Sequence, residues 1–205
     1  MTKAQILQKF TLYLDDFSEL STVEAGQLFD KIYERINSER PWEGTKTAFV
    51  GATSSSVPYV TLPTDFLYLT ANHNTTDGDL AYGPVVFVGP TYTPYRAVSY
   101  SDRRQYRTHN NVVWIDIAAS QLTFAMQPTS ALAVEYDYHR QMPVLADSES
   151  PWFPIYHDMI YHGMCVDDFI IQQSDKAKSY KTDHEKLFAE YMEKLAYYNS
   201  QLIQQ

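Results

Sequence analysis

The sequence predicts an α+β protein: an α-helical core, made of an N-terminal helical hairpin and two C-terminal helices, with an inserted antiparallel β-sandwich-like module. Three observations carry this reading. Apolar residues recur at three- and four-residue steps over 1–41, the period drops to two with frequent turn residues over 42–142, and the helical period returns over 143–205. The helical core is therefore placed at 1–41 and 143–205, and the β module at 42–142. With 44% hydrophobic and 20% charged side chains over 205 residues, the chain holds enough apolar material for a packed core and is not disordered.

Ile6, Phe10, Tyr13, Leu14 and Phe17 make one apolar face behind an N-cap at Thr2, which predicts the first helix. Ser21-Thr22-Val23-Glu24 matches a capping box, in which the Ser hydroxyl and the Glu carboxylate each satisfy the other residue's backbone N–H. The second helix starts there and presents Ala25, Leu28, Phe29, Ile32 and Ile36 on one face. It stops before Pro41, because the residue preceding a proline is pushed out of the helical region.

In the β module, turns are expected at 51–56, 72–78, 89–90 and 127–130. Leu132, Val134, Tyr136 and Tyr138 alternate with Ala133, Glu135 and Asp137, which predicts a strand with one apolar and one acidic face. Residues 112–117 and 122–126 read as a hairpin joined by 118–121, whereas 101–108 breaks the alternation and is expected as a helical turn or a loop. After Met142-Pro143, a third helix introduced by 151–154 carries Ile155, Met159, Gly163, Val166 and Ile170 on one side. A mid-helix glycine costs about 1 kcal/mol against alanine, so Gly163 points to a closely approaching neighbour. The last helix runs from about Lys176, with Leu187, Tyr191, Leu195, Tyr198 and Leu202 repeating along it and Phe188 and Met192 widening the stripe. Roughly 28 residues at 1.5 Å each make it about 42 Å long, more than closing the core requires, so part of it is expected to pack on another molecule.

The net charge of −9 argues against a protein that grips nucleic acid by its phosphates, since that affinity scales with the number of cations neutralising them. Lys and Arg minus Asp and Glu is −3 over 1–43, 0 over 44–134, −6 over 135–173 and 0 over 174–205, which concentrates the acid in one segment. No apolar run reaches the roughly 20 residues of a membrane span, and Asp15 and Asp16 interrupt any signal-like start, so neither membrane insertion nor secretion is expected. One cysteine, Cys165, permits no internal disulfide and no structural zinc framework. Seventeen tyrosines fit either β-sheet faces or interfaces, since the ring packs while the hydroxyl keeps a polar partner.

Several clusters invite a chemical reading. His157, His162, Cys165 and Asp168 lie close together, but His157 and His162 are five apart and point about 140° from each other on a helix, so no metal site is expected. Asp15-Asp16 and Asp167-Asp168 diverge as adjacent helical residues and cannot form the opposed carboxylates of a glycosidase. Cys165 with His162 lacks an orienting third group and an oxyanion hole, and seven glycines leave little material for a phosphate loop. No enzymatic activity and no cofactor are expected. Arg96, Arg103, Arg104 and Arg107, interleaved with Tyr95, Tyr100 and Tyr106, form the basic cluster. It could hold a single nucleic-acid strand, remain a solvated loop, or meet an acidic surface on a neighbouring subunit, and the acidity of 135–173 favours the last.

Taken in order, Arg40-Pro41-Trp42 closing a helical hairpin, Leu62-Pro63-Thr64-Asp65-Phe66-Leu67, residues 122–128 followed by Val134-Glu135-Tyr136, and Pro154-Ile155-Tyr156-His157 opening a helix resemble the head-to-tail connector (adaptor) proteins of tailed bacteriophages. The resemblance spans nearly the whole chain. It implies a structural virion protein of the neck, made in the bacterial host cytoplasm, that assembles as a ring of commonly twelve copies. Such a ring docks beneath the portal protein, meets a tail or tail-nozzle protein below, and extends a channel through which DNA passes without tight binding. On that reading Leu195, Tyr198, Leu202 and Ile203 of the last helix are the portal-docking candidates. Arg96, Arg103, Arg104 and Arg107 on one side and Asp137, Glu149 and Asp158 on the other are the subunit-interface candidates. The alternative reading is a β-sandwich that binds carbohydrate or another tail component through Trp114, Tyr92 and Tyr95.

Overall fold

The computed structural model describes residues 1–17, 20–70, 83–171 and 175–203; the side chains of 14–17, 169–171, 175–179 and 203 lie outside that description. The expected turn at 72–78 therefore falls outside the described residues, as do the side chains of Leu14, Phe17 and Ile170. The described residues form four α-helices and one eight-stranded mixed sheet, and the chain divides into two compact units, residues 1–45 with 142–205 and residues 46–141.

The first unit is helical. Helix α1, Lys3–Phe17, begins with a reciprocal cap: the Gln5 side chain accepts from the Thr2 N–H at 2.9 Å and the Thr2 hydroxyl accepts from the Gln5 N–H at 3.3 Å. This extends the single Thr2 cap expected from sequence to a full capping box. Helix α2, Thr22–Ser38, carries the Ser21–Glu24 box as expected and buries Ala25, Leu28, Phe29, Ile32, Tyr33 and Ile36. Trp42 follows it, fully buried in the same cluster, with its indole N–H donating to the Ile36 carbonyl at 2.7 Å. That bond takes up one of the carbonyls that every helix C-terminus leaves without an intrahelical donor.

Helix α3, Asp158–Ile171, starts later than the apolar pattern suggests: Tyr156 adopts a positive φ of 63°, which stops the helix extending back to Ile155, and Ile155 is exposed. Nor is its burial one-sided. Met159, Ile160, Met164, Cys165 and Asp168 are all at 0% exposure, because α1, α2 and α4 surround it. Gly163 is the close approach the sequence signals: a Cβ there would lie 2.7 Å from Ile32 and 2.9 Å from Phe188. Helix α4, Asp175–Ile203, packs on α3 through Phe188, Tyr191, Met192 and Leu195, while Leu187, expected on that stripe, is exposed.

The second unit contains strands β1 (Lys46–Ala52), β2 (Tyr59–Thr61), β3 (Phe66–Leu69), β4 (Val85–Val88), β5 (Thr93–Val98), β6 (Val112–Asp116), β7 (Gln121–Phe124) and β8 (Ala133–Arg140). Their order is β1-β8-β4-β5-β6-β7-β2, with β3 also on β8. The β6–β7 hairpin and the alternation of β8 stand as expected, with Val134, Tyr136 and Tyr138 buried. One pairing departs from an all-antiparallel module: β5 and β6 run parallel, because residues 99–111 carry the chain back alongside Arg96 before β6 begins. One cluster holds Val60 of β2, Leu122 of β7, Val86 of β4 and Tyr136 of β8, and Phe49 of β1 packs against it, so the sheet curls around a single core that takes in both ends of the strand order.

Candidate interface surfaces

The helical unit presents the end of α4. Leu195 does not belong to a docking surface: it is at 0% exposure in the helical cluster, held there by its position facing α3. Tyr198 is half-buried against the same cluster, Leu202 is half-exposed, and the Ile203 side chain lies outside the described residues. Asn199 is buried, and its side-chain oxygen accepts from the Glu43 N–H at 2.7 Å, which pins this end of the helix to the rest of the unit. The aromatic ring that does face solvent is Tyr197, 69% exposed and about 100° around the helix from Tyr198. The signal for it was a large ring standing off the apolar stripe.

In the β unit, Arg103, Arg104 and Arg107 come together on one loop built of successive turns. The N–H groups of Asp102, Gln105 and His109 each donate to the carbonyl three residues earlier, at 2.9–3.0 Å. The Arg103 guanidinium lies 3.6 Å over the Tyr100 ring and donates to the Tyr100 carbonyl at 2.6 Å, so it is engaged within the loop. Arg104 and Arg107 are exposed and form no ion pair among the described residues. Arg96 stands apart, exposed on β5 opposite Val85.

The acidic candidates divide between the two units. Asp137 lies on β8 and pairs with Lys46 at 3.6 Å, while Asp158 and Glu149 belong to the helical unit. There Asp158 pairs with Lys9 at 2.7 Å, and the Glu149 carboxylate accepts from the Ala146 N–H at 2.7 Å. Asp167 is held by Lys31 at 2.7 Å. The acidity follows the units rather than the segment 135–173: the helical unit carries ten Lys and Arg against eighteen Asp and Glu, the β unit six against seven.

His157 and His162, expected on one helix, are separated because His157 lies just before α3 and only His162 is on it. His157 Nε2 lies 2.6 Å from the Phe153 carbonyl, and its Nδ1 meets the Met1 amine. His162 Nδ1 instead lies 2.8 Å from His184 Nδ1 on α4, an encounter hidden in sequence because the two are 22 positions apart. Burial, then the neighbouring His184 imidazole, lowers His162 to about 4, and burial likewise lowers His184. Burial pushes the Cys165 thiol up to about 12, which keeps it protonated and unreactive. Among the described residues no three His, Cys, Asp or Glu side chains are placed to hold a metal ion. Nor do the three aromatics of the carbohydrate reading share a face: Tyr95 stands opposite Val86 on the core side and packs edge-on against Phe124, while Trp114 follows the buried Val113 and so turns the other way.

No helix of the described residues is long and apolar enough to cross a membrane. A family model described as SU10 adaptor protein matches residues 1–204, and among the curated proteins none matches the chain. The chain therefore belongs to the SU10 adaptor protein family, a family of phage head-tail adaptors, and is a structural protein of the virion.

Proposed function

We propose that this member of the SU10 adaptor family is the head-to-tail connector of its phage: a homo-oligomeric ring, commonly of twelve copies, that docks under the portal protein in the neck, extends the DNA channel towards a tail or nozzle protein, and performs no catalysis. The observation that carries the reading is the family match across 1–204, which takes in both the helical unit and the β unit inserted in it. The helical unit is the adaptor core. Its α4 end offers the portal an exposed Tyr197 and a half-exposed Leu202 on a helix that Asn199 holds rigid. The β unit supplies cations on a projecting loop, which suits a ring, since a ring needs two different faces of one subunit to complement each other. Co-expression with the portal protein, followed by negative-stain imaging, tests the assignment. A ring capping the portal is expected, and a chain that stays monomeric beside assembled portal overturns it.

A further inference from the structure

The outer face of the β unit carries a groove of about 470 Å³. Strands β1, β8 and β4 lie side by side there, and the register sets Val50, Glu135 and Phe87 abreast on it. Apolar walls come from Val50, which is 70% exposed, and from Phe87 and Tyr92, the last 57% exposed at a positive φ of 50°. Two polar features are unspent. Glu135 has no cation among the described residues, in contrast to its neighbour Asp137, which has Lys46. Thr70 Oγ1, on a residue lining the groove, is shielded from solvent with no hydrogen-bond partner among the described residues. Among the described residues the groove also borders a sheet edge. Strand β1 ends the strand order there, pairs with β8 over seven residues without a register shift, and has neither proline nor any charge beyond Lys46, the devices that usually keep an edge from pairing.

We propose that this groove is the socket for an arginine of the 101–108 loop of a second copy of this chain, with Glu135 taking the guanidinium and Phe87 and Tyr92 flanking its plane. The inference rests on the ring reading above and names the residues of the subunit contact. Arginine is the cation that fits: it is planar, weakly hydrated, stacks on aromatic rings and offers its donors as a fork that matches a carboxylate. Apolar walls that exclude water strengthen the pair. The source is on the same unit, since Arg104 and Arg107 are exposed and form no ion pair among the described residues, while Arg103 is held by Tyr100. Glu135 likewise has no cation among the described residues, so both sides of the contact are available to a second copy.

The test is a charge swap in the full chain, assembled with portal and read by sedimentation velocity. Glu135→Arg alone and the pair Arg104→Glu with Arg107→Glu are each expected to abolish the ring, and combining all three to restore it, with unchanged circular dichroism showing that each variant folds. Rings that survive Glu135→Arg overturn the socket and leave the connector reading standing. If the unaltered chain forms no ring, the connector reading falls, and a synthetic peptide of residues 99–111 titrated onto the full chain decides the socket. Shifts of the Val50 and Phe87 resonances, weakened at least tenfold by Glu135→Gln, support it; no shift at millimolar peptide overturns it.

Discussion

At the scale of single residues, the His162–His184 contact makes a prediction with a definite sign. Two imidazoles whose Nδ1 atoms are 2.8 Å apart can share one proton between them, not hold one each, and Lys9 adds positive charge nearby. Asp158 and Asp183 oppose the effect, but Asp158 is already engaged by Lys9. Both histidines thus titrate lower in the folded chain than unfolded, the unfolded chain binds more protons, and stability is lost as pH falls from about 6.5 towards 4. Discounted for rings that are only partly buried, the loss is about 1–2 kcal/mol, and replacing both histidines with Gln should flatten the melting-temperature profile over that interval. Glycines give a second pair of outcomes. At Gly163 a methyl group meets the fully buried Ile32, so Gly163→Ala should destabilise by about 1–3 kcal/mol. At Gly26, in mid-helix with nothing within 4 Å of a Cβ, Gly26→Ala should stabilise by about 0.5–1 kcal/mol in the same denaturation assay. Helix propensity marks Gly163 and Gly26 alike and only packing tells them apart, and the partner of His162 was hidden because no local rule relates positions 22 apart.

Secondary-structure elements were legible wherever a local rule decides them. The Ser21–Glu24 box starts α2, Pro41 follows its end, and strict alternation identifies β8, because each depends on a few neighbouring residues. The misreadings arise where tertiary context decides. Periodicity marks which residues are apolar but not how many sides are covered, so α3 read as one-sided although three other helices surround it. The same ambiguity put Leu195 on a docking surface when it is a core residue. Its substitution is therefore a stability probe: Leu195→Ala should cost about 2–5 kcal/mol, read by chemical denaturation, from the lost burial and the cavity left behind. Docking is tested by changes that spare the core. Tyr197→Ala, or a chain ending at Ser200 so that Asn199 keeps its bond to Glu43, should leave the melting temperature within a few degrees while weakening portal binding. Full portal binding by both would remove the end of α4 from the contact.

For the whole molecule, the insertion of a sheet into a helical unit was legible from two changes of period, but the placement of charge was not. Counting along the chain assigned the acid to 135–173, yet that stretch runs from β8 into α3 and several of its carboxylates are neutralised by Lys46, Lys9 and Lys31. Counted by unit, eighteen acids against ten bases leave the helical unit at −8 and the β unit near balance. The ring proposed above would multiply that difference by its copy number, giving the helical units together a strong negative field and the β units little. A channel wall built of such units would repel duplex DNA instead of holding it, favouring passage over binding. If the helical units line the channel, reversing exposed acids there must convert repulsion into grip. Glu34→Lys with Glu193→Lys, both on exposed helix positions without ion pairs among the described residues, moves each helical unit from −8 to −4. Portal-bound rings of the unaltered chain should give no DNA complex at physiological salt, and the reversed rings should bind with an affinity that falls steeply as salt rises. Salt-sensitive DNA binding by the unaltered ring, or none by the reversed one, would move the channel wall away from the helical unit.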